Sequence, residues 1–188
     1  TAAAGFQKYF GRTEYDHEAD YDGNWGIWDA PFLQRVVKEL NNVKQPFISG
    51  VFTLSSHPPY AVPDSLKNKL PVGLLPAHQA IAYTDFALRQ FFEAAAQQSW
   101  YANTLFVITA DHTSPLSAHS YYRSEIGQYS IPIVYYAPRD TNLKGRYAGV
   151  TQQIDILPSV LDYLHYPKPF YALGNSIFHN PHPFAITY

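Results

Sequence analysis

Thr104-Leu-Phe-Val-Ile-Thr-Ala-Asp-His112 is the stretch that decides the fold and places the chemistry. From Leu105 to Thr109 every residue is apolar or β-branched, the composition of a buried strand. Asp111 and His112 follow at the strand's exit with nothing between them. Burying either group unpaired is costly, so a strand that delivers both predicts a partner. A divalent metal ion is the partner that uses a carboxylate and an imidazole together.

Outward from that strand, Pro46 introduces Phe47-Ile-Ser-Gly-Val-Phe-Thr53, a second buried-strand pattern. It breaks into Ser55-Ser-His-Pro-Pro-Tyr60, a loop stiffened by two prolines. Ile131-Pro-Ile-Val-Tyr-Tyr136 reads as a third strand, with Pro132 at an edge or in the first turn. Helices fill the intervals. Residues 30–41 place Phe32, Val36, Val37 and Leu40 on one face, with Asp29 as N-cap. Residues 76–99 carry Ile81, Thr84, Leu88, Phe91, Phe92 and Ala95 at helical spacing. A last helix follows Thr151-Gln-Gln-Ile-Asp155, with Ile154, Leu157, Leu161 and Leu164 in one stripe, Asp155 as its cap and Pro158 tolerated in its first turn. Thr1 to Asn24 and the tail from Pro167 read as loop. Strands alternating with helices predict an α/β layered fold with a mainly parallel sheet, and 188 residues predict a single domain over 1–188. In such sheets ligands collect at the carboxyl ends of strands. Both His57 and Asp111-His112 lie just past such ends.

Composition removes several alternatives. A net charge of −2 supplies no basic surface for nucleic acid and no polybasic membrane patch. With no cysteine, disulfides, thiolate ligands and a cysteine nucleophile are excluded. With no methionine, the chain reads as a piece of a longer polypeptide. The 16 Tyr, 12 Phe and 3 Trp suit a pocket or a carbohydrate-facing surface, although aromatic packing explains most such residues.

Five motifs now stand in order: Trp25-Gly-Ile-Trp-Asp29, Ser55-Ser-His-Pro-Pro-Tyr60, Tyr83-Thr-Asp-Phe-Ala-Leu88, Thr109-Ala-Asp-His112 and Asp155-Ile-Leu-Pro-Ser-Val-Leu161. Together they resemble the C-terminal half of the extracellular domain of lipoteichoic acid synthases, phosphoglycerol transferases of the sulfatase and alkaline phosphatase superfamily. The resemblance runs from about Asp22 to Phe178. It implies an alkaline phosphatase-like fold and one divalent ion held by Asp111 and His112, with manganese favoured over zinc, magnesium or calcium. It implies His57 as the catalytic histidine that contacts the substrate phosphate, and Trp25 and Gly26 as neighbours of the substrate head group. Relatives carry an arginine near that segment, and none lies between Trp25 and Gln34. Some two-metal members of the superfamily place a histidine where this chain has Gln152-Gln153, so a single ion is expected.

The nucleophile and a further acidic ligand are expected upstream of Thr1, which predicts that these residues alone turn nothing over. The substrate implied is a lipid or glycan phosphate ester, outside the cytoplasm of a bacterium, with membrane attachment only through helices upstream. Two rivals remain: a sulfatase or phosphodiesterase acting on a soluble ester, and a non-catalytic domain holding a glycan on its tyrosines and tryptophans. His119 reads as solvated, Asp85 as a helix-surface carboxylate, and His179 with His182 as tail residues.

Overall fold

Helix α2 (Asp29–Leu40) packs against helix α4 (Pro76–Ala95), and this pair organises the first half of the chain. The structure is a computed structural model describing residues 2–179 and 183–186, which divide into two units. One runs to Thr104 and adds Ser114–Arg123; the other comprises Leu105–Thr113 and residues from Ser124 onward. Two short helices, α1 (Arg12–Tyr15) and α3 (Asp64–Lys67), flank the pair in sequence.

Pro76 opens α4 at a position whose N–H has no intrahelical partner, so the missing donor costs nothing there. The buried side of α4 is Ala77, Ala80, Tyr83, Ala87, Phe91 and Ala95, meeting Ala30, Leu33 and Val37 of α2. Spacing alone puts Ile81 on that face, yet it is 52% exposed. The stripe is rotated because alanines let two helix backbones approach closely, and close approach outweighs the bulk of one isoleucine. Burying Leu33 and Val37 contributes about 1.5–3 kcal/mol each. The far end is closed by polar contacts: the Trp100 indole N–H donates to Asn41 Oδ1 at 2.7 Å, and the Asn41 amide donates to Gln98 Oε1 at 2.9 Å.

Asp29 is the first residue of α2 and not its N-cap, which is Trp28. The expected strand at residues 47–53 is also different. It is unpaired among the described residues, with Ile48 81% and Phe52 65% exposed. An apolar β-sequence becomes a strand only when a neighbour takes its N–H and C=O groups, and none of the described residues does so.

In the second unit β1 (Phe106–Thr109) pairs antiparallel with β2 (Ile133–Tyr136), Phe106 opposite Tyr136 and Thr109 opposite Ile133. Pro132 stands just before β2, where its missing N–H does no harm. A mainly parallel sheet was expected; the one pair among the described residues is antiparallel. Parallel neighbours need a long crossover, usually a helix. Between these strands the chain forms only short 3-10 turns at Ser120–Arg123 and Gly127–Tyr129.

Helix α5 (Ile156–Tyr163) buries Pro158 and Ser159, while Leu157 and Leu164 of the expected apolar stripe are exposed. Its buried face is polar because it receives the segment around Gly174 to Ile177. Asn175 N–H donates to Asp155 Oδ1 at 2.8 Å, and Ile177 N–H donates to Ser159 Oγ at 3.0 Å. Gly174 passes so close that a Cβ would lie 2.4 Å from the Ile154 carbonyl oxygen. No helix among the described residues is long and apolar enough to cross a membrane.

Two outcomes follow for the helix pair. Ala87→Leu puts a larger side chain where exposure is 0%, and should lower the unfolding free energy in urea by roughly 1–3 kcal/mol. Burial pushes the Tyr83 hydroxyl up to about 12. Its neutral form therefore stabilises the fold fully below the ordinary tyrosine value, and this is lost as pH rises toward 12. Tyr83→Phe should flatten the loss of stability measured by urea unfolding across that alkaline range.

Candidate functional site

His57 sits in a turn closed by its own N–H to the Leu54 carbonyl, 3.1 Å, and by Tyr60 N–H to the His57 carbonyl, 2.9 Å. Its ring lies 3.9 Å from the Trp25 ring, centroid to centroid, at 52°. The Trp25 indole N–H donates to the Pro58 carbonyl at 2.7 Å, and His57 Nδ1 lies 3.1 Å from the same oxygen. A carbonyl only accepts, so Nδ1 carries the hydrogen. Nε2 is left for a ligand, as acceptor when the ring is neutral and as donor when it is protonated.

Trp25, though 53% exposed, is not loose. Asp22 Oδ1 accepts the N–H groups of Asn24, Trp25 and Gly26 at 2.8, 2.8 and 3.0 Å. Gly26 is buried, and a Cβ there would lie 2.9 Å from the Leu54 side chain. The family resemblance implies that Trp25, Gly26 and His57 face a substrate, and the fold brings these three together.

Asp111 and His112 leave β1 in the second unit. Asp111 Oδ1 accepts the His112 N–H at 2.9 Å, while His112 Nδ1 donates to the Thr113 carbonyl at 2.7 Å. The neutral imidazole then has its lone pair on Nε2, which lies 3.6 Å from Asp111 Oδ2. That is too long for a hydrogen bond. Two ligands each roughly 2.0–2.2 Å from one ion stand about 2.8–3.6 Å apart at tetrahedral or octahedral angles. The donor set thus fits two ligands of one divalent ion, with side chains 58% and 67% exposed. Among the described residues no group of three or more His, Asp or Glu side chains could hold a metal.

Gln153, singled out in the sequence only as a place where some relatives carry a histidine, has a second role that sequence reading missed. Its side-chain amide donates to the carbonyls of Ala110 and Asp111, 2.9 and 3.1 Å, bracing the backbone that presents the pair. Thr113 Oγ1 donates to the Gln128 carbonyl at 2.5 Å and holds the next step of the loop. Neither contact has a local sequence signal, since both partners are backbone carbonyls.

The remaining candidates have structural partners. His119 is exposed, accepts the Tyr121 N–H, and belongs to the first unit. His179 lies 2.7 Å from Asp162, whose carboxyl is held below its usual range by Ser176 first and His179 second. His182 lies outside the described residues. Asp155 caps the turn before α5, accepting the Gln152 N–H at 2.8 Å. Asp85 faces solvent, 3.7 Å from Arg89.

Known proteins resemble this chain over most of its length. The family model described as Sulfatase matches residues 1–166. Lipoteichoic acid synthase 1 of Bacillus subtilis is 26% identical over 98% of this chain and 31% of its own length. Lipoteichoic acid synthase 2 of the same organism is 26% identical over 93% of this chain and 29% of its length. The chain therefore spans about a third of the length of the curated relatives it matches. A crystal structure of a protein in the alkaline phosphatase superfamily from Vibrio parahaemolyticus superposes with a TM-score of 0.68 at 25% identity. The match covers 85% of this chain and 39% of that one. The fold is accordingly of the alkaline phosphatase-like α/β class.

Asp22→Ala removes an acceptor shared by three amides and should free the Trp25 indole. A red-shifted, more readily quenched Trp25 emission, referenced to Trp25→Phe, is the expected result. The accompanying loss of stability should be about 1–3 kcal/mol.

Proposed function

The chain belongs to the sulfatase family, and from that premise we propose that it forms part of the catalytic domain of an extracytoplasmic, metal-dependent phosphoglycerol transferase. The observation that carries this reading is the Asp111–His112 pair, its Nε2 lone pair and Oδ2 spaced as two ligands of one ion. Relatives named lipoteichoic acid synthases support a lipid phosphate ester as the substrate class.

Asp111 and His112 would hold the divalent ion, and a mixed carboxylate and imidazole set favours manganese or zinc over an all-oxygen ion such as calcium or magnesium. When bound, it supplies charge neutralisation at the phosphate oxygens and a lowered pKa for the attacking hydroxyl. Gln153 keeps the two ligands on a fixed backbone. His57, protonated, would donate from Nε2 to a non-bridging phosphate oxygen, its ring held by the Pro58 carbonyl on one side and the Trp25 face on the other. Trp25 offers apolar surface to the glycerol portion of the head group, and Gly26, beside it, lets this loop lie against Leu54 at the start of the His57 turn. Residues 1–188 would be one continuous portion of a single catalytic domain, with the nucleophile contributed from outside them.

Manganese titration followed by electron paramagnetic resonance tests the ligand assignment. A longer chain that includes the upstream ligand should bind one Mn²⁺, with affinity lost in Asp111→Ala and in His112→Ala. A fall of about ten- to a hundredfold is expected in Gln153→Ala, the usual effect of removing a group that orients ligands. Wild-type affinity in both ligand variants would sink the assignment. The chain by itself should release no glycerol phosphate from phosphatidylglycerol; measurable turnover would put the nucleophile inside these residues.

A further inference from the structure

We propose that Asp29 is the positioning residue of the His57 turn: its buried carboxylate sets where the imidazole lies against Trp25. What that position serves rests on the reading of His57 as the phosphate-contacting side chain. The geometry needs no such reading. Asp29 is 2% exposed and stands at the first position of α2, three residues after Gly26. Its Oδ1 accepts the N–H groups of Leu54 and Ser55 at 2.9 and 3.2 Å. Its own N–H donates to Ser55 Oγ at 3.1 Å, so the two segments are joined reciprocally. Oδ2 accepts the Thr84 hydroxyl at 2.9 Å, which fastens the same carboxylate to α4.

Leu54 is also the residue whose carbonyl receives the His57 N–H. One end of the His57 turn is therefore fixed to Asp29. The other end, at Pro58, is fixed to Trp25, whose loop runs into α2 through Ile27 and Trp28. His57 and Trp25 are thus held in one closed circuit of hydrogen bonds that passes through the Asp29 carboxylate. Cutting the circuit at the Asp29 carboxylate frees the Leu54 and Ser55 amides and leaves the Leu54–Ser55 segment joined to α2 only through the Asp29 N–H to Ser55 Oγ bond.

Nuclear magnetic resonance on the 188-residue chain decides the matter. The Trp25 ring current should shift the His57 imidazole protons upfield in the wild type. In Asp29→Ala that shift should collapse by more than half while circular dichroism still reports folded helices. Asp29→Asn, which retains an oxygen for Leu54 and Ser55, should restore most of it. A variant that loses only thermal stability, with the His57 signals unmoved, overturns the proposal. If Asp29→Ala does not fold, Asp29→Glu decides, because it keeps the carboxylate but displaces it by one methylene from the Leu54 and Ser55 amides: displaced His57 signals support positioning, and unchanged signals overturn it.

Inorganic phosphate titrated into the wild type separates the two readings. Perturbed His57 signals, with about tenfold or weaker binding in Asp29→Ala, support both. No perturbation sinks the phosphate role of His57, while displaced signals in Asp29→Ala still carry the positioning role.

Discussion

A carboxylate removed from water must be met by donors, and Asp29 meets that requirement with partners from two distant segments. Leu54, Ser55 and Thr84 all donate to it. Leaving any one of these donors buried without an acceptor costs about 1–3 kcal/mol, comparable to an apolar side chain of the α2–α4 core. The carboxylate is therefore as decisive for the first unit as the alanine stripe. It also adds what apolar packing lacks, a direction. Alanines allow the helices to meet, whereas Asp29 specifies which loop crosses the start of α2 and at what height.

The second unit uses the same device. Asp155 is 5% exposed and precedes α5, and its two oxygens accept backbone N–H groups from Gln152 and from distant Asn175. Ser159, fully buried one turn on, accepts from Ile177 while donating to the Asp155 carbonyl. In both units a helix start carries an acidic side chain that captures the amides of an incoming segment with no regular secondary structure of its own. Such segments cannot satisfy their backbone by ladder bonds, so side chains must do it. This explains why a chain with little sheet among its described residues still fixes the loops that carry its candidate chemistry.

The readable parts of the sequence were those where a local pattern is sufficient. An apolar run ending in Asp-His marked β1, Pro132 marked the start of β2, and Pro76 opened the longest helix. Facing was less legible. Ile81 outranks Ala80 and Ala87 on any hydrophobicity scale, yet the helices meet through the alanines, because backbone proximity depends on the partner surface as well as on the residue. Residues 47–53 illustrate the same limit from the other side: their β-pattern is strong, but pairing is a property of two segments and the pattern describes only one. Asp29 read as a helix cap because Asp beside a helical run usually is one. Its real partners lie at positions 54, 55 and 84, a separation that no local pattern encodes. The bracing role of Gln153 escaped for the related reason that it serves backbone carbonyls.

The candidate chemistry divides along these lines. His57 and Trp25 are held through buried or shared hydrogen bonds, which suits groups that must discriminate one ligand orientation from another. Asp111 and His112 are held differently: their own backbone and Gln153 orient them, and both side chains remain more than half exposed. Exposure would suit ligands to an ion, because a coordination shell needs at least four donors and these two would supply only part of it. A closed, fully satisfied pair would have no reason to recruit an ion. With His112 Nδ1 committed to a carbonyl and Nε2 turned toward Asp111 Oδ2 without bonding it, the lone pairs stay available. As two donors, the pair cannot fill a coordination shell by itself.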